Sequence, residues 1–197
     1  MNQCLKNLKI ILHLLGINLH LYKMADIDNK IAAIEALLVK EKKKKSALEI
    51  VDKATKIICV TYTNEHSVNN DSFRDLQIGL ENRVVGSGTG HLVYANTGDI
   101  VIIRSKNHLM FAVLNEILPG CNAWSSHGGE NWQTNFSITP ITGIIEKTLK
   151  FEDILRTYHA QHNVKYGCML NSRLCGYGEK YKPVLKSLFL DEHITLL

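Results

Sequence analysis

From residue 26 to about residue 53, apolar positions recur at helical spacing. Ile27, Ile31, Ile34 and Leu38 follow the 4-3-4 interval of a coiled-coil seam, with Asp26 or Asp28 near the start. The seam lasts under two heptads before Lys42–Lys45 interrupt it, so it suits either a single helix packed on a domain or a surface for self-association. Beyond it the pattern changes. Lys56–Tyr62 (KIICVTY) is a short β-branched run that predicts a buried strand. Ser72–Leu80 predicts a helix capped by Asp71 or Ser72, and Arg83–Val85 leads into a tight loop, Gly86-Ser87-Gly88-Thr89-Gly90. Asp99–Arg104 and Leu109–Ile117 predict a hairpin around Ser105–His108. Phe136–Ile145 predicts a strand that Pro140 makes an edge or bulged one. Phe151–His162 predicts an amphipathic helix, and Lys182–Phe189 a closing helix with Pro183 in its first turn. The order is α+β: a compact domain over residues 56–197, preceded by a helix over 24–55 and an apolar leader over 1–23.

The leader contains LKIILHLL (residues 8–15), far short of the about 20 residues that span a bilayer. His13 and His20 interrupt any signal-peptide core. Met24 opens MADIDNKIAAIEALL, which reads like a chain start, so the leader is expected to be an upstream extension or a short amphipathic anchor.

Charge alters the picture only once it is located. The formal net charge is +4 over 197 residues. Residues 1–23 carry three lysines and no acid, and residues 24–55 carry seven lysines against six acids. Residues 56–197 carry thirteen of each sign, so the domain is neutral. A broad basic face is excluded there, whereas the Lys42–Lys45 run could touch phosphates without reading sequence. Lys, Asn and Ile are abundant, the bias of an AT-rich coding sequence such as many viruses carry.

Five cysteines (Cys4, Cys59, Cys121, Cys168 and Cys175), odd in number and with no CxxC pair, predict reduced thiols in an intracellular, cytosolic-type compartment. Cys168 and Cys175 with His159 and His162 fit no familiar zinc finger, and no metal or other cofactor is expected. No Walker loop, HExxH or GxSxG occurs, and the GSGTG loop lacks a phosphate-binding continuation. A papain-like pair of Cys59 and His108 is the one enzymatic reading, but Cys59 sits inside an apolar run that would leave its thiol inert. No enzymatic activity is expected.

The order of these pieces resembles a known family. TYTNEH ends the first strand, a short helix follows, and then come VVGSGTG, GDIVIIRSKNHLMFAVLNEI, WQTNFSITPI and Asn171-Ser172-Arg173. Over residues 56–190 this resembles the EVE-like branch of the PUA-like superfamily, related to the YTH and ASCH domains. The resemblance implies a small, curved, barrel-like mixed sheet with flanking helices. It also implies recognition of a nucleobase, often a modified one, in a pocket at the barrel mouth. Such a pocket needs an aromatic plate for the base face and polar groups for its edge.

The resemblance assigns Tyr62, Thr63 and Asn64 to edge reading or phosphate contact, and Ser87, Gly88 and Thr89 to the ligand-facing turn. Relatives carry a tryptophan near that turn where this chain has Thr89, so the aromatic cage must draw on Trp124 or Trp132. Both flank the loop over residues 125–130, SSHGGE, which could act as a lid. Ser172 and Arg173 match a late element near the pocket, with Arg173 as a phosphate or base contact. Against this, Tyr62 and Trp132 adjoin apolar runs and suit a core, and Arg173 could simply pair with Glu179. Asp99 is expected to hold a turn through backbone amides. Two functions follow: a non-enzymatic nucleic-acid-binding module, or a viral or other structural protein that self-associates through residues 26–53 and has lost the pocket.

Overall fold

The computed structural model describes residues 24–87, 92, 95–120, 123–124, 132, 134–164 and 178–197. The chain divides into two units, Met1–Lys42 and Lys43–Leu197. In the first unit begins helix α1 (Met24–Lys53), whose Ile34 and Leu37–Val39 are exposed. Its last turns belong to the second unit, where Ala47, Val51 and Ala54 are buried. The segment predicted over 24–55 therefore serves two units rather than one. No helix among the described residues is long and apolar enough to cross a membrane.

The second unit is α+β, with a curled half-barrel of mixed strands. The strands run in the order β1 (Ile57–Thr61), β3 (Ile100–Arg104), β4 (His108–Ile117), β5 (Thr134–Pro140), β2 (Val84–Ser87), and β6 (Ile145–Glu146) pairs with the start of β4. β1 and β3 are parallel and the other pairings antiparallel. The remaining helices among the described residues are α2 (Ser72–Asn82), α3 (Leu149–Gln161) and α4 (Gly178–Leu190).

Both faces of the central strands are buried, which is why their sequences are nearly continuous apolar runs. Ile57, Cys59, Ile100, Ile102, Leu109 and Phe111 face the cluster built with α3, α4 and the end of α1. Their chain neighbours Ile58, Val60, Val101, Ile103, Met110 and Ala112 face a second cluster, covered by Leu76 and Ile78 of α2. Each aliphatic side chain so buried contributes about 1.5–3 kcal/mol relative to exposure.

Local signals set the ends of these elements. Asp71 caps α2, its Oδ1 accepting from Phe73 N, and α2 closes on Arg83 in the left-handed conformation. Thr148 caps α3 through Phe151 N, so that helix begins two residues before the predicted start. α4 begins at Gly178, which puts Pro183 inside the helix rather than in its first turn. β5 is no edge strand either: it lies between β4 and β2, with Pro140 as its last residue. The irregularity lies opposite, in β4. Three steps from Leu114 to Ile117 face two from Ile138 to Phe136, and such a bulge curls a sheet.

Asp99 is buried and binds two segments of the chain through three donors. Oδ1 accepts from Thr55 Oγ1 (2.7 Å) and Lys56 N (2.9 Å), and Oδ2 from Asn96 N (2.8 Å). Gly98 before it takes φ +89°, a conformation that favours glycine. Asp99→Ala should lower the unfolding free energy by about 3 kcal/mol or more, because it leaves three donors without their acceptor and each hydrogen bond to a charged group contributes about 1.5–3 kcal/mol. Chemical denaturation would read this as an earlier midpoint with an unchanged slope.

Three titratable groups outside the sheet are displaced from their ordinary range. Hydrogen bonding to Asp191 (2.7 Å), with burial, pushes the Tyr158 phenol up to about 12. Burial would raise the Asp191 carboxyl, but the bonds from Tyr158 and His193 outweigh it and hold it low. Burial lowers His159, although its Nδ1 donates to Leu155 O at 2.7 Å and partly offsets this. The unfolded chain thus binds more protons at His159 than the folded one. Its contribution is present above about pH 6.5 and is lost as pH falls toward the depressed folded value. His159→Gln should flatten the loss of stability between about pH 7.5 and 5.5, measured as denaturation midpoints of both proteins across that window.

Candidate functional site

Three of the aromatic residues singled out from the sequence meet on the α2 face of the sheet. Tyr62 follows β1 and remains paired, its N–H donating to Arg104 O at 2.9 Å. That pairing turns its ring inward. The centroid of Tyr62 lies 5.8 Å from Trp124 and 5.8 Å from Trp132, and the two indoles are 6.3 Å apart, edge to face. Such pairings add about 0.5–1.5 kcal/mol each beyond area burial.

The three rings are not equivalent. Trp124 is 1% exposed and its Nε1 donates to Asp75 O of α2 at 3.2 Å. Gly79 of α2 leaves the space beside it, since a Cβ there would meet Trp124 Cζ2 at 3.7 Å and Val84 O at 2.9 Å. Tyr62 is 2% exposed and its hydroxyl accepts from Gly86 N at 3.3 Å, joining the end of β1 to β2. Trp132 alone is half-buried. Its Nε1 is inaccessible to solvent and has no acceptor among the described residues. Tyr62 and Trp124 are therefore core rings, and Trp132 is the least buried of the three.

Gly86 and Ser87 lie in β2, not in the loop predicted for residues 86–90. Gly86 pairs with Asn135 and Ser87 with Thr134. A Cβ at Gly86 would stand 2.5 Å from Asn135 Oδ1 and 2.6 Å from Trp132 Cδ1, so only glycine fits. Asn135 in turn donates from Nδ2 to Trp132 O at 2.8 Å, fixing the backbone that carries the indole. Ser87 is buried beside these groups. Sequence reasoning missed the positioning roles of Asn135, Gly79 and Asp75. Only the small residue at 79 in a helix otherwise built of larger side chains hinted at a close approach.

The polar residues after β1 are placed differently. Thr63 and Asn64 are exposed. Asn64 Oδ1 accepts from Ser72 N at 3.2 Å, so its carboxamide is engaged at the start of α2, while Thr63 O accepts from Ser67 Oγ at 2.6 Å. Gly88, Thr89, Ser172 and Arg173, together with the loop over residues 125–130, lie outside the described residues. So do Cys168 and Cys175. His159 bonds Leu155, and His162 Nε2 meets Ser187 Oγ at 2.8 Å.

The Cys59–His108 pair is separated by the sheet. Cys59 is buried on the face of α3 and α4, whereas His108 stacks on Phe73 of α2 at 4.1 Å on the other. The hairpin carrying His108 is closed by Lys147, whose Nζ donates to the carbonyls of Ser105 (3.1 Å) and Lys106. Burial, with Arg104 nearby, lowers the Lys147 ammonium, while Glu152 and Cys59 act against the shift. A separate cleft of about 270 Å³ lies against Ile145, Phe151, Ile154 and Ile194. Those residues belong to the face away from the aromatic trio.

No protein-family model matches the chain, and no curated protein matches it.

The tight seat at Gly86 has a measurable consequence. Gly86→Ala must push back either Asn135 or the Trp132 ring, and forced core overpacking costs about 1–3 kcal/mol. Tryptophan emission should shift to the red as Trp132 is displaced. An unshifted spectrum in a folded variant would contradict the described seat.

Proposed function

We propose that this chain is a non-enzymatic, PUA-like module that binds nucleic acid and reads a base, including a modified one, against Trp132. The observation that carries the reading is the convergence of Tyr62, Trp124 and Trp132. These residues are separated by 62 and 8 positions in sequence, and of the three only Trp132 is not fully buried. A stacking plate needs such support, because a ring that must be ordered on binding loses part of the stacking gain to side-chain entropy.

Two further features favour it. The indole N–H of Trp132 is buried without an acceptor among the described residues, so a small movement of the ring on binding would let it gain one. The β2 backbone beside it carries Gly86 without room for a side chain, which keeps main chain close to the ring. A methyl group on the base would add apolar surface against the aromatic cluster at little desolvation cost. The neutral charge of residues 56–197 suits a reader whose affinity comes from a few placed groups. Arg173 is the cation the family resemblance brings to that set, and Lys42–Lys45 would add grip without sequence preference.

Binding of single-stranded oligonucleotides, modified and unmodified, can be followed by fluorescence anisotropy. Base stacking on an aromatic ring contributes about 1–3 kcal/mol, so Trp132→Ala should weaken binding between about fivefold and a hundredfold. Glu192→Ala, at an exposed position outside the proposed binding set, should change it little. Unchanged affinity in folded Trp132→Ala would refute the stacking reading, as would no binding by the native chain.

A further inference from the structure

We propose that the first half of α1 holds copies of this chain together as a parallel bundle of more than two helices. This stands apart from the base-reading proposal and rests on a different surface. Eight large apolar side chains are exposed among the described residues, and four fall within six positions of α1. They are Ile34 at 49%, Leu37 at 62%, Leu38 at 53% and Val39 at 52%. Ile34, Leu37 and Leu38 share one face while Val39 lies off it, and a helix that leaves such a stripe in water presents a site for a partner.

The spacing and charges identify that partner as the same chain. Ile27 and Ile34 make one core row of a heptad seam, and Ile31 and Leu38 make the other. Lys30 and Leu37 flank the seam on one side, Glu35 and Lys42 on the other. When identical helices lie parallel and in register, each flanking residue meets the one five positions on in its neighbour. Lys30 then faces Glu35 of the next copy, and the stem of Lys42 covers Leu37. Turning one helix end for end loses that pair and sets Glu35 against Asp28 of the neighbour, or against Glu35 in the register where Asp28 meets Lys42. The Lys30–Glu35 pair thus favours the parallel arrangement.

The core side chains select the number of strands. Isoleucine on both rows, with leucine replacing it once, favours three or four helices over two. Leu37 agrees, because a flanking position is covered in a wider bundle and remains at the rim of a pair. The bundle ends at Lys42–Lys45, where in-register copies set lysine against lysine.

Sedimentation equilibrium of the full chain over a wide concentration range tests this. The expected result is conversion from monomer to a species of three or four chain masses. Ile34→Asp should raise the dissociation constant at least tenfold while leaving thermal unfolding of the second unit unchanged, since Ile34 is exposed. Lys30→Glu should weaken association, and adding Glu35→Lys in the same chain should restore it. A chain that stays monomeric throughout, or stops at a dimer, overturns the bundle. Association indifferent to Ile34→Asp overturns the surface, and failure of the double swap to restore it overturns the parallel register.

Discussion

The carboxylate of Asp99 is taken out of water between two parallel strands, a position that must be compensated. It is compensated by three donors from two parts of the chain: Thr55 and Lys56, consecutive in the link between α1 and β1, and Asn96 in the turn before β3. Parallel strands have no hairpin to set their register. Here the carboxylate does so, bringing Lys56 O within 3.1 Å of Ile100 N and pairing Ile57 with Ile100 from the first residue of each strand. Everything downstream inherits that alignment. Ile58 and Val60 are sent to one face and Cys59 to the other, and Tyr62 arrives at the mouth with its hydroxyl on Gly86.

The aromatic trio is a compromise between packing and access. Two rings are buried as deeply as any core residue, and their polar atoms are satisfied by backbone groups, Asp75 O and Gly86 N. They cannot themselves be a binding surface without movement. They can hold a third ring still. The core reading fits Tyr62 and Trp124, which are buried, whereas Trp132 is only half-buried against them.

Much of the fold is legible in the sequence for reasons that can be named. Runs such as IICVT and IVIIR are apolar because both sheet faces are covered, and Asp71 sits where α2 needs an acceptor for Phe73 N. The GD pair announces the turn because glycine alone readily supplies its positive φ and the acid its acceptors. What stayed hidden depends on contacts across the chain. Gly86 reads as a loop glycine next to Gly88 and Gly90, and only the approach of Trp132 and Asn135, some 50 positions away, makes it a strand residue. Pro140 reads as a mark of an edge strand, yet it closes an interior strand at its last position. Asn64 reads as a ligand contact, and its part in holding the start of α2 through Ser72 N was not legible from the chain. The sequence also ranks the two tryptophans in the opposite order: Trp132 adjoins an apolar run and reads as core, yet it is Trp124, in a polar stretch, that is fully buried.

The double allegiance of α1 bears on how such a chain can be rearranged. Composition places a border near residue 55, where a lysine-rich helix gives way to strands. The packing places it a dozen residues earlier, because Ala47, Val51 and Ala54 fill the cluster beneath α3 and α4, and Lys186 pairs with Asp52 at 2.5 Å. Recombination that exchanged the helix as a cassette at residue 55 would leave a hollow beside Ile57 and Cys59. A crossover in the lysine run would not. Those lysines mark the stretch at which the leading helix can be traded for another without opening the domain it introduces.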